Sequence, residues 1–168
     1  TSGWRLVVDD PELSTRLTTG LVSDDFCGAI TSSPAVGPDD VIYFGDSQGF
    51  VRCLDGSGGA RELLVWEVQV ESGRSIEFSS PALDTSRGNG RVYLATTEGR
   101  VYAFDAVSPP LDAGDHPIPI WAFPSLTGGP TAPIGAVGSS PAVGPNGDIY
   151  IGSDDGKLRA IKPDGALR

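Results

Sequence analysis

The sequence has no methionine, one histidine (His116), two cysteines (Cys27 and Cys53) and two lysines among its 168 residues. Each scarcity removes a class of function. Lysine and arginine together number 12 against 22 carboxylates, a formal net charge of −10, and no basic cluster interrupts it. A phosphate backbone or an anionic membrane surface therefore meets no electrostatic footprint. Apolar runs are a handful of residues long, too short for a membrane-spanning helix. The two cysteines fit no paired metal or redox spacing and leave the redox compartment open. Without methionine, and opening on Thr1-Ser2-Gly3-Trp4 with no signal-peptide pattern, the chain reads as a mature, excised or partial polypeptide.

What is abundant is turn chemistry. Glycine (23) and proline (14) are frequent, and 16 of the 22 carboxylates are aspartate. Asp favours turns where Glu favours helices, so many short connections and few helices are expected. With 39% hydrophobic residues the chain has material for one cored domain.

Self-comparison organises the rest. Three segments align: SSPAVGPDDVIYFGDSQGFVRCLD from Ser32, SSPALDTSRGNGRVYLATTEGRVYAFD from Ser79, and SSPAVGPNGDIYIGSDDGKLRAIK from Ser139. Tyr43, Tyr93 and Tyr150 share one place in the frame. Gly49, Gly99 and Gly156 follow six residues later, and the small residues Cys53, Ala103 and Ala160 four after that. Each unit reads as a first strand on Ser-Pro-Ala, with Pro34, Pro81 or Pro141 near its start. A second strand (VIYFG, RVYLA, DIYIG) is apolar on consecutive residues, which predicts burial on both faces. An Asp/Ser/Gly hairpin then leads to a third strand. A fourth carries tryptophan, LLVWEV at Trp66 and IPIWAF at Trp121, and WRLVV at Trp4 has the same look.

Four antiparallel strands per repeat, at periods of 47 and 60 residues, describe propeller blades. The Ser-Ser-Pro-Ala-Val, Ile/Val-Tyr-x-Gly and Gly-x-Val/Leu-x-Ala elements with the later Trp resemble the pyrroloquinoline-quinone-like β-propeller family. This is the repeat of quinoprotein alcohol dehydrogenases, found also in non-catalytic outer-membrane assembly lipoproteins. The resemblance implies an all-β propeller segment of about three four-stranded blades. Its divisions are an outer strand with connecting loop over 1–31, blades over 32–78 and 79–138, and an incomplete blade over 139–168. Three blades are too few to close a ring. The expectation is a piece of a larger propeller, or half of a ring in which two copies make six blades and Trp4–Val8 completes the partner's last one.

For catalytic members the resemblance implies an adjacent Cys–Cys disulfide, a Trp stacked on the quinone, calcium or a lanthanide on Glu/Asn/Asp, and an Asp base. Here Cys27 and Cys53 lie far apart in sequence, and Asn89 and Asn146 sit in turn contexts. No catalytic, cofactor-binding or metal residue is therefore assigned, and no cofactor. Trp4, Trp66 and Trp121 recur at one repeat position, as blade-docking residues do, and the three tyrosines read as core. Asp46, Asp154 and Asp155, with Ser47 and Ser153, read as hairpin residues rather than calcium ligands. His116 lies in an acidic, proline-rich loop, and no nucleophile motif accompanies it. Cys53 reads as a packed thiol, with a disulfide to Cys27 left open.

Function is sought where the period breaks, at Asp10–Gly28 (with EL-TRL spacing for a short helix), Ala106–Pro119 and the nearly uncharged Pro124–Gly138. The reading is a non-catalytic interaction or assembly module, extracytoplasmic by resemblance, that presents such loops to a protein partner or to further blades. Its rivals are a fragment of a quinone-dependent dehydrogenase with cofactor residues elsewhere, and a glycan-binding propeller using Phe26, Phe50 or Phe123.

Overall fold

A computed structural model describes residues 28–56, 64–70, 74–86, 88, 90–113, 117–126 and 132–168. Trp4, Phe26, Cys27, His116, Asn89, the EL-TRL segment and WRLVV lie outside the described residues. The strands are β1 (Ala35–Val36), β2 (Val41–Gly45), β3 (Phe50–Asp55), β4 (Leu64–Gln69), β5 (Ala82–Asp84), β6 (Arg91–Ala95), β7 (Val101–Asp105), β8 (Trp121–Phe123), β9 (Ala142–Val143), β10 (Ile149–Ser153) and β11 (Lys157–Ile161). They form three antiparallel meanders, β1-β2-β3-β4, β5-β6-β7-β8 and β9-β10-β11. The protein is thus nearly all β and has the strand plan of a partial propeller. No helix among the described residues is long and apolar enough to cross a membrane.

The first strands are short because proline precedes each of them and cannot donate to the ladder. Proline also confines β8 to three residues, between Pro119 and Pro124, although Ile120 N–H still donates to Ala103 O at 2.7 Å. In the first hairpin Asp46 N–H donates to Phe50 O and Gly49 N–H to Asp46 O. Gly49, Gly99 and Gly156 all have φ between 77° and 95° there. A three-residue loop closing on a left-handed residue requires this, which explains the recurrent glycine six after each tyrosine.

Within sheets one and two a small residue separates two rings. Tyr43, Cys53 and Trp66 lie abreast on β2, β3 and β4, as Tyr93, Ala103 and Trp121 do on β6, β7 and β8. Over the small side chain the rings meet, with centroids 6.2 Å apart for Tyr43–Trp66 and 5.8 Å for Tyr93–Trp121. That face of sheet one packs on Val92, Leu94, Tyr102 and Phe104 of sheet two. The opposite face of sheet two, with Tyr93, Ala95, Val101 and Ala103, packs on Ile149, Ile151 and Ile161 of sheet three. Alternate residues of a central strand thus serve two cores, and β6 from Val92 to Ala95 is buried throughout.

After β11 the chain turns back, and Leu167 bridges Ile161. Leu64 pairs Leu54 in the same way, two residues before Trp66 in sheet one. The segment after β11 thus lies beside it at one bridge, where β4 lies beside β3 in sheet one.

Candidate assembly face and inter-blade clefts

Two hydrogen-bonded systems fasten the sheets to one another. At the edge formed by the first strands, Ser33 N–H donates to Ser80 Oγ at 3.0 Å, and Ser80 N–H donates to Ser140 Oγ at 3.0 Å. These are the second serines of the three Ser-Ser-Pro motifs. The first serines turn inward: Ser79 Oγ accepts from Ala95 N–H, and Ser139 Oγ donates to Gly152 O. At the hairpin end the linkers act as straps. Ile76 N–H donates to Asp46 O while Ser75 O accepts from Thr97 N–H; Val137 N–H donates to Thr97 O while Ala136 O accepts from Asp154 N–H. Each linker thus spans the hairpins of two consecutive sheets. Gly45 is small because a Cβ there would lie 2.3 Å from Ile76 Cγ2.

The tryptophans dock one sheet on the next. Trp66 lies 5.7 Å, centroid to centroid, from Phe104 of sheet two. Trp121 Nε1 donates to Pro163 O at 2.9 Å, and Gly165 of the same turn approaches its ring so closely that a Cβ would sit 2.8 Å from Cγ. At the first junction the equivalent turn carbonyl, Ala106 O, accepts instead from Tyr43 Oη at 2.9 Å, and Trp66 Nε1 is buried without a partner among the described residues.

Sheet three ends the described stack, and its outward face is bare. Tyr150 is 37% exposed and Leu158 75%, whereas the corresponding Tyr93 and Val101 are fully buried. Cross-strand pairing puts Tyr150 beside Ala160, and Leu158 beside Gly152, on this one face. The expectation of three core tyrosines therefore holds for Tyr43 and Tyr93 and fails for Tyr150, against which no sheet lies among the described residues. The bareness is one-sided: Phe44 and Leu54, on the far face of sheet one, are buried.

Two clefts open between sheets. One of about 300 Å³ lies between sheets one and two and is lined by Tyr43, Cys53, Leu83 and Ala106. Cys53 is a free, buried thiol, and burial pushes it up to about 12. It is packed and inert toward electrophiles at neutral pH. The other cleft, about 660 Å³, lies between sheets two and three. Its walls are Phe123, Pro124, Ile134 and Leu167, so part of the nearly uncharged 124–138 segment does face a groove. Asp155 and Arg159 form an ion pair on its rim, which holds the Asp155 carboxyl well below the usual range.

The hairpin aspartates do more than turn the chain. Asp46 is buried, accepts from Gly28, Gln48 and Phe50 N–H, and pairs with the buried Arg52, which also reaches Glu67 at 3.0 Å. This cluster was missed from sequence, although an arginine between Val51 and Cys53 in an apolar strand is its signal. Among the described residues no three His, Cys, Asp or Glu side chains gather as a metal site. Phe50 lies under the Arg52 guanidinium at 4.6 Å, and Phe123 lines the larger cleft. Among the described residues the most exposed phenylalanine is Phe78, 59% exposed at φ 65° just ahead of the second Ser-Ser-Pro.

Similar solved structures share this arrangement of sheets. BamB from Moraxella catarrhalis matches over 82% of this chain with a TM-score of 0.56 at 16% identity. A quinohemoprotein alcohol dehydrogenase from Pseudomonas putida HK5 matches over 84% with 0.57 at 18%, and a europium-containing methanol dehydrogenase over 84% with 0.56 at 15%. The chain has the fold of a partial quinoprotein-type β-propeller. It spans 34%, 26% and 25% of those three structures. No protein-family model matches the sequence, and no curated protein matches it. At such identities the likeness to this propeller class speaks for the fold alone.

Proposed function

We propose that this propeller segment is a non-catalytic assembly and interaction module. It divides into blades over 32–78, 79–138 and 139–168, preceded by an outer strand and loop over 1–31. The observation that carries the reading is the bare face of sheet three, since an exposed Tyr150–Leu158 surface marks an interface on a water-facing protein. Further blades, of the same or other subunits, cover that face, and a six-bladed ring of two copies is one such arrangement. The straps at 75–76 and 136–137 and the serine contacts hold the described linkers in place, so a protein partner meets them at little ordering cost. An extracytoplasmic location accompanies the reading, on the fold likeness alone.

The likeness itself does not choose between catalytic and non-catalytic relatives, because BamB and the dehydrogenases match with equal TM-scores to within 0.01. A direct test is a thermal-shift titration with pyrroloquinoline quinone and calcium. The module reading expects no shift and no alcohol oxidation. A saturable shift of several degrees would overturn it, because a ligand bound only by the folded state stabilises by mass action.

A further inference from the structure

The three second serines form a directional row. Ser33 gives its amide to Ser80, and Ser80 gives its amide to Ser140. At one end stands the Ser140 N–H, with no acceptor among the described residues; at the other stands the Ser33 hydroxyl, with no amide donor there. Both serines are exposed. The two rungs span 47 and 60 residues of sequence, so the contact survives a 13-residue difference in repeat length. Its constancy belongs to how the blades meet and not to the loop between them.

We propose that this row sets the register of blade addition, and that the bare face of sheet three is built for a four-stranded blade of the same repeat, entering on Ser or Thr before Pro. The incoming hydroxyl takes the Ser140 amide. Three aliphatic residues, at the places of Ile149, Ile151 and Ile161, cover Tyr150, Leu158 and Ala160. The observed junction between sheets two and three supplies every part of this template: Ile149, Ile151 and Ile161 lie on Tyr93, Val101 and Ala103, and Ser140 Oγ on the Ser80 amide. The hydroxyl has a physical role. The amide before Pro141 lies outside the sheet ladder, because the first strand begins only at Ala142, and a side-chain oxygen from the neighbour replaces its water when a blade is added.

The first sheet of a second copy is a poorer occupant. It brings the Ser33 hydroxyl, yet its matching face is already buried at Phe44 and Leu54. The inference rests on the assembly reading, and one experiment separates the two. The full chain is extended after Arg168 by a second copy of its own residues 121–168. Leu167 already holds the place of Leu64, so the appended Trp falls at the Trp66 place and a new Ser-Ser-Pro blade follows.

Amide exchange at Ser140 and radical footprinting at Tyr150 are compared in the extended and unextended chains. The expected result is a Tyr150 footprint lost on extension and exchange at Ser140 slowed about tenfold. Ser140→Ala in the appended copy should return the original Ser140 to fast exchange with Tyr150 still covered, and Ser140→Thr in that copy should keep it slow. Tyr150 covered with Ser140 exchange indifferent to the appended hydroxyl would overturn the register proposal and spare the assembly reading. Tyr150 as accessible as before would overturn both.

Discussion

Trp121 reaches across a sheet boundary, its Nε1 donating to the carbonyl of Pro163 at 2.9 Å. Trp66 holds the same rung one sheet earlier and makes no such bond. The pair offers an internal control on what a docking tryptophan contributes beyond its area. Trp66→Ala should cost about 3–5 kcal/mol, as truncation of a buried aromatic does. Trp66→Phe should cost less than Trp121→Phe, by about the net worth of one hydrogen bond, ~1 kcal/mol. Urea denaturation of the four proteins measures this. Equal costs for the two phenylalanine variants would show that the Pro163 bond contributes nothing.

The small residue between the rings is the second point of test. Ala103 is fully buried between Tyr93 and Trp121, so Ala103→Leu forces the rings apart and should cost about 1–3 kcal/mol. Ala160→Leu, on the bare face, should be nearly neutral in the isolated chain. Calorimetric melting of both variants checks the contrast, and equal effects would mean that sheet three is covered after all.

Gly99 meets two constraints at once. Its φ is +95°, and a Cβ would stand 2.2 Å from Gly135 O, where Ile134 N–H also donates to Gly99 O. Gly99→Ala should therefore lower the melting temperature more than Gly156→Ala, whose φ is +77° but whose surroundings are open. Similar losses at the two sites would reduce the Gly99 constraint to its backbone conformation.

Burial also makes stability depend on alkaline pH. Cys53 is raised from 9.0 to about 12, chiefly by desolvation, while its hydrogen bond with Tyr43 opposes the rise. Tyr43 is likewise raised above its ordinary value, again mainly by burial. The folded chain keeps these protons where the unfolded chain has released them. Their contribution is complete below the unfolded values and is lost as pH climbs toward the folded ones. Unfolding free energy should fall between about pH 9 and 12, and Cys53→Ala should make that fall shallower. An unchanged slope in the variant would refute the assignment to the thiol.

The repeat made the blades legible. A tyrosine, a glycine six later and a small residue four after that fix a hairpin and its facing, and Tyr43, Gly49 and Cys53 behave accordingly. Tyr150 did not follow, since its place in the frame is that of a core residue and only the neighbouring sheet decides whether it is covered. The Asp46–Arg52–Glu67 cluster was hidden for another reason: aspartate is the ordinary hairpin residue, and its burial arises from the contact with Arg52 and the Gly28 amide. The Ser-Ser-Pro motif was conspicuous as a string, but its serine-to-serine bonds cross whole repeats and have no local signature.

Sedimentation of the unmodified chain over a wide concentration range, beside Leu158→Asp, tests the central claim most directly. Leu158 is 75% exposed, so the charge should leave the fold intact. The account predicts that the wild-type mass rises above 17.4 kDa with concentration and that the variant stays at that value. A wild-type chain that remains a 17.4 kDa monomer throughout, indistinguishable from Leu158→Asp, would contradict an assembly role for the face of sheet three.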